Sequence, residues 1–174
     1  MKNLAILISK TSTGTNLRAI RQAIKDKQLK ARISVVISDT DKKLADYQVD
    51  YICLAGWKKI IPDWLIKNFP NKILNIHPGL IPDKLDGEVK NPDGTKALWN
   101  RGKYTVKAIK NFLDKKSTYA GSTVHFLSTK FDFGPVLDRC FEPIFPGDTV
   151  ESLYQRLKAK ENKIYVKSLI KLCN

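Results

Sequence analysis

Apolar residues along this chain fall alternately into short unbroken runs and into stretches spaced by three and four, the pattern of strands and helices taking turns. Leu4-Ala5-Ile6-Leu7-Ile8-Ser9 is a continuous apolar run, as expected of a strand covered on both faces. Lys10 to Asn16 has turn composition, and beyond it Leu17, Ile20, Ala23 and Ile24 recur at helical spacing. Ile33 to Ser38 predicts a second buried strand, ending in Asp39-Thr40-Asp41, where an acidic side chain could accept ribose hydroxyls or serve as a turn or cap. Lys42 to Val49 leaves room for barely two turns of helix before a third strand, Asp50 to Gly56. A crossover between parallel strands normally takes about a dozen residues, so the middle of the chain reads as shortened. Pro62 to Phe69 predicts a short helix with its proline near the first turn, and Lys72 to His77 a fourth strand that stops at Pro78-Gly79-Leu80-Ile81-Pro82.

Pro82 to Gly102 is a long polar connection punctuated by Gly and Pro, with one apolar cluster at Ala97-Leu98-Trp99. Long loops of this kind are usually lids or binding loops. Tyr104 to Leu113 is helical, with Val106, Ile109, Phe112 and Leu113 on one side. Ala120 to Leu127 and Val136 to Ile144 are strands joined by a tight loop, Ser128 to Pro135. Asp148 with Glu151 suggests a capping box opening a long helix through Leu153, Leu157, Ile164 and Leu169. There are no internal repeats and no low-complexity tract. The order predicts a single α/β domain over 1–174. Its architecture should be Rossmann-like and three-layered, with a mostly parallel central sheet, an antiparallel edge and a shortened middle region.

Charge adds one feature. Lys plus Arg number 31 against 17 Asp plus Glu, a formal net charge of +14. Such an excess is either a solvated surface or a field that steers an anionic ligand. The lysines are scattered along helical segments without interleaved aromatics, so no nucleic-acid partner is expected. No run approaches the roughly 20 apolar residues of a membrane span, nor does the start resemble a signal peptide, and a cytoplasmic protein is the expectation. Cys53, Cys140 and Cys173 are far apart and lack a second ligand type at metal spacing, so neither a disulfide framework nor a metal site is expected.

Two places carry candidate chemistry. Gly14-Thr15-Asn16 lies between a strand and a helix, where free backbone N–H groups and the two side chains could hold a phosphate dianion. The same residues could simply cap the helix. Asn75 and His77 occupy alternate positions at the end of the fourth strand and so face the same side. The carboxyl edge of an open α/β sheet is where ligands bind, and Asp132, in the loop after a later strand, can reach the same edge. An imidazole can exchange a proton with an amine, a carboxylate can orient it, and an amide can stabilise an alkoxide. Together they suit acyl or formyl transfer to an amine, although each residue also has an ordinary structural use in a turn or cap. His125, in mid-strand, reads as a packed histidine or one that supports a neighbour.

Asn75-Ile76-His77-Pro78-Gly79-Leu80-Ile81-Pro82, Gly121-Ser122-Thr123-Val124-His125-Phe126 and Asp132-Phe133-Gly134-Pro135-Val136 together resemble the folate-dependent formyltransferase family, from Leu4 to about Leu169. The resemblance implies the formyltransferase fold, catalytic roles for Asn75, His77 and Asp132, and a phosphate grip by Gly14, Thr15 and Asn16. It also implies a ribose contact from Glu161, although the family's usual following His is Asn162 here. The folate pocket is implied around Trp57, Lys58, Lys59, Ile60, Leu127 and Phe131. The implied reaction moves the formyl group of 10-formyltetrahydrofolate, a cosubstrate, to the amine of 5-phosphoribosylglycinamide in purine synthesis, with no metal, by a monomer or homodimer. Methionyl-tRNA or an amino-sugar nucleotide as acceptor, or a non-catalytic basic protein that binds polyanions, are the alternatives. Two departures stand out: the family's usual helix-strand-helix stretch has almost no room between Asp39 and Asp50, and Asp86 to Trp99 has the look of an insertion.

Overall fold

In a computed structural model, which describes residues 1–38 and 48–174, six strands form one sheet. They are β1 (Lys2–Ile8), β2 (Ala31–Ser38), β3 (Tyr51–Leu54), β4 (Ile73–His77), β5 (Tyr119–Phe126) and β6 (Val136–Pro143), in the spatial order β2-β1-β3-β4-β5-β6. The first four pair in parallel, whereas β5 runs antiparallel to both β4 and β6. This is the mixed sheet with an antiparallel edge that the element order predicted. The turn or cap expected at Asp39 to Asp41 and most of the short helix expected from Lys42 fall on 39–47, outside the described residues.

Alternation along the strands sorts the core into two faces. Leu4 and Ile6 point to one side, where α1 (Thr15–Lys25) and α4 (Val150–Cys173) bring Leu17, Ile20, Leu157 and Leu169. Ala5 and Leu7 point to the other, where α2 (Asp63–Asn68) brings Leu65. The unbroken apolar run of β1 fits its central place, with Leu4, Ala5 and Ile6 all at 0% exposure. The buried Tyr165 ties the helix layer to the sheet, its hydroxyl donating to the carbonyls of Leu54 and Leu74 at 3.3 and 3.2 Å.

Three expectations need correction. The second strand is an edge strand that is mostly half-buried, with only Ala31 and Ile37 buried, because β1 pairs it on one side only. In α3 (Thr105–Asp114) the buried face is Ala108, Ile109 and Phe112, while Val106 in the first turn projects into solvent at 69% exposure. The capping box of α4 is made by Thr149 and Ser152, not by Asp148 and Glu151. Asp148 instead accepts the Phe145 N–H and pairs with Arg156, whose guanidinium holds the Asp148 carboxyl well below the usual carboxylate range.

Candidate active site

The antiparallel pairing of β4 with β5 places Asn75 opposite His125 and His77 opposite Thr123. Directly opposed residues share a face of the sheet, and this register assembles one end of the site. His125 is fully buried, and its Nδ1 donates to the Phe126 carbonyl at 3.0 Å. That leaves Nε2 as an acceptor, and Asn75 Nδ2 donates to it at 3.3 Å. The contact fixes which way the Asn75 amide points and leaves one N–H of that amide for a ligand. The supporting use of His125 anticipated from its mid-strand position is therefore the one observed.

Burial lowers the His125 pKa to about 3, with the neighbouring His77 ring adding to the effect. In an unfolded chain a histidine takes up a proton near pH 6.5. Folding stability from His125 is therefore complete above that pH and is withdrawn as the pH falls toward 3, at up to about 1.4 kcal/mol per unit. Chemical denaturation between pH 6.5 and 4 should show this slope, and His125→Gln should flatten it. An equal slope in the variant would remove His125 as its source.

His77 closes β4 at 2% exposure. Its Nε2 lies 2.8 Å from the Trp99 carbonyl, which can only accept, so Nε2 carries the proton. Nδ1 then faces Asp132 Oδ1 at 3.6 Å, too long for a direct hydrogen bond but close enough for charge attraction once the ring takes up a second proton. Burial lowers the His77 pKa, and the Asp132 carboxylate and the Trp99 carbonyl oppose that without reversing it. At neutral pH the ring is a neutral base with its lone pair turned toward a carboxylate. Asp132 sits in the left-handed backbone region, φ 48°, at the tip of the loop between β5 and β6. Local packing sets that loop: Ser128 Oγ donates to the Phe133 carbonyl at 2.7 Å, and a side chain at Gly134 would meet the Phe126 carbonyl oxygen at 2.0 Å.

The other end of the site starts at Gly14, which adopts φ 68° as the residue before α1 and gives that helix no side-chain cap. Asn16 is 2% exposed, and its Nδ2 has no partner among the described residues. Its Oδ1 accepts from Lys158 Nζ at 2.7 Å, and Lys158 also donates to Glu161 Oε2 at 2.9 Å. Glu161, 4% exposed, accepts from Ser122 Oγ at 2.6 Å. The first turn of α1, the last helix and β5 thus share one polar chain, one residue along β5 from the Thr123 that opposes His77. A buried amide N–H left unpaired at an uncapped helix N-terminus is a donor awaiting an anion.

Lys158, which joins Asn16 to Glu161, is a contact that the sequence pattern does not separate from the solvated lysines around it. Its spacing of three from Glu161 on a helix is the one signal the sequence carries. Lys158→Met should raise KM for a phosphorylated substrate about tenfold with kcat nearly unchanged, the mark of lost ground-state binding. Steady-state kinetics would test this, and a fall in kcat alone would contradict it.

The residues expected to wall a folate pocket differ in their exposure. Trp57 and Leu127 each pack against the second core cluster, and Trp57 Nε1 is buried without a partner among the described residues. Lys58 turns back toward the loop before α1, donating to Thr11 Oγ1 at 2.9 Å. Lys59 is exposed, and Ile60 and Phe131 are 78% and 56% exposed. Among the described residues, no group of three or more His, Cys, Asp and Glu side chains is placed to hold a metal ion. No described helix is long and apolar enough to cross a membrane.

Residues 39–169, which carry the amide, imidazole and carboxylate at the sheet's carboxyl edge, match a known family model, Formyl transferase. The chain belongs to that family. Relatives to which it is similar include phosphoribosylglycinamide formyltransferases. The chloroplastic enzyme of Arabidopsis thaliana is 35% identical over 130 residues, covering 75% of this chain and 40% of the plant protein. The Haemophilus influenzae enzyme is 28% identical, over 95% of this chain and 84% of its own length. Glycinamide ribonucleotide transformylase 1 of Symbiobacterium toebii superposes with a TM-score of 0.76 at 28% identity, covering 99% of this chain and 88% of that one. The chain spans less than two thirds of the length of several curated relatives, 61% for the Vigna unguiculata chloroplastic enzyme.

Proposed function

We propose that this protein transfers the formyl group of 10-formyltetrahydrofolate to the amine of 5-phosphoribosylglycinamide. The observation that carries the reading is the two-ended site. A buried neutral imidazole beside a carboxylate and an oriented amide stands at one end, and an uncapped helix start with an unpaired Asn16 amide at the other. In this reading Gly14, Thr15, Asn16 and Lys158 hold the substrate phosphate, and Glu161 takes the ribose hydroxyls. That sets the glycinamide amine at the carboxyl end of β4. Attack on the formyl carbon places negative charge on its oxygen, which the free Asn75 N–H stabilises. The proton shed by the amine passes to His77 Nδ1, and Asp132 favours the imidazolium so formed. Collapse of the adduct then breaks the bond from the formyl carbon to the folate nitrogen, which leaves as a neutral amine with the proton His77 returns. The folate lies along the Trp57 and Leu127 side, and no metal takes part.

The experiment is an assay of the purified protein with 10-formyltetrahydrofolate and phosphoribosylglycinamide, with methionyl-tRNA and an amino-sugar nucleotide as competing acceptors. Formylation of phosphoribosylglycinamide in preference to the others is the expected result. Turnover no greater than background at millimolar substrate would remove the reading, and preference for another acceptor would redirect it.

A further inference from the structure

The segment between β4 and α3 reaches into the site in a way that none of the roles above uses. Its last turn, Trp99-Asn100-Arg101-Gly102, touches both members of the His77–Asp132 pair. The Trp99 carbonyl accepts from His77 Nε2 at 2.8 Å, and the Gly102 N–H donates to Asp132 Oδ2 at 2.7 Å. The Trp99 indole N–H donates to the Asp132 backbone carbonyl at 2.9 Å, and Arg101 Nε donates to that of Phe131 at 3.1 Å. The turn itself is anchored. Asn100, 5% exposed at φ 58°, donates to the carbonyls of Pro78 and Ala108 at 3.1 and 3.3 Å and accepts from Asn111 at 2.7 Å. Gly79 fits beneath it with no room to spare, since a side chain there would meet the Trp99 carbonyl oxygen at 1.8 Å.

We propose that this turn is the device that orients the proton-transfer pair, with Trp99 and Asn100 as positioning residues that act through His77 and Asp132. The Trp99 carbonyl can only accept, so it commits Nε2 to carrying the ring proton and leaves Nδ1 as the only ring nitrogen that can exchange one. The Gly102 N–H and the Trp99 indole hold Asp132 on the Nδ1 side. A ring free to flip would present the wrong nitrogen part of the time, and misplacement of a reacting group is costly in rate. The catalytic part of this inference rests on the formyl-transfer reading; the tautomer part does not.

The chain has two histidines, His77 and His125, so long-range proton–nitrogen NMR correlations at neutral pH read each ring separately. In the wild type, His77 should carry its proton on Nε2 and His125 on Nδ1. Asn100→Gly keeps the positive φ and removes the anchors. It should convert His77 to a mixture of tautomers, leave His125 unchanged, and lower kcat about tenfold with KM for phosphoribosylglycinamide within about twofold. Trp99→Phe keeps an aromatic ring beside Phe133 and the Trp99 backbone carbonyl while removing the indole donor, and should move both readouts in the same direction by less. The proposal is overturned if wild-type His77 is protonated on Nδ1, or if both variants leave its tautomer unchanged. It is equally overturned if the two histidines shift together. Absence of formyl transfer in the wild type would remove the reaction assigned above, while the tautomer measurement would still decide whether the turn sets His77.

Discussion

Replacing His77 with alanine is expected to lower turnover in formyl transfer by a factor of about 10² or more. In the proposed reaction the imidazole is the base for the attacking amine, with Nε2 spoken for by Trp99 and the Nδ1 lone pair left to take the proton. Truncation also strands the Trp99 carbonyl in a buried place, which costs about 1–3 kcal/mol of stability. His77→Gln separates the two effects, because a glutamine amide can still donate to that carbonyl but cannot take a proton. Both variants should be nearly inactive in steady-state assays, with Gln the more stable in thermal unfolding. Near-normal turnover in either would remove His77 as the base. The wild-type pH profile should agree: with its pKa lowered by burial, His77 stays neutral to below the ordinary histidine range, so activity falls only as the pH drops beneath about 6.5.

Asp132 carries the second large effect. Asp132→Ala would mix loss of charge with backbone strain, since φ 48° costs a residue such as alanine about 1–2 kcal/mol. Asp132→Asn avoids this because asparagine tolerates that region and can still accept the Gly102 N–H. We expect Asp132→Asn to lower kcat by about 10², with Asp132→Ala lower still and less stable. The acid limb of the pH profile should move further down, because the carboxylate that favours the imidazolium is gone. Unchanged turnover in Asp132→Asn would show that the charge plays no part.

Much of this site is legible in the order of residues along the chain. Asn75 and His77 on alternate positions have to share a face, and Gly14 between a strand and a helix has to open an amide-rich turn. Asp132, at the tip of a short loop after a strand, falls at the correct edge. Pairing is what local pattern does not carry. That His125 faces Asn75 follows from the β4–β5 register, and a shift of one residue would have turned His125 away. Lys158 is distinguished from other surface lysines only where α4 lies against the first turn of α1. Trp99 has the character of an apolar spot in a long insertion, since nothing in its own stretch says that its carbonyl ends on His77.

The sequence alone therefore determined the elements, their class of sheet and the types of group gathered at its edge, because periodicity and turn chemistry act between near neighbours in the chain. Tertiary structure alone decided which nitrogen of His77 is protonated, which way the Asn75 amide points and which lysine reaches Asn16. Each of those depends on a partner more than 20 residues away, and contacts at that separation are set by register and packing rather than by local pattern.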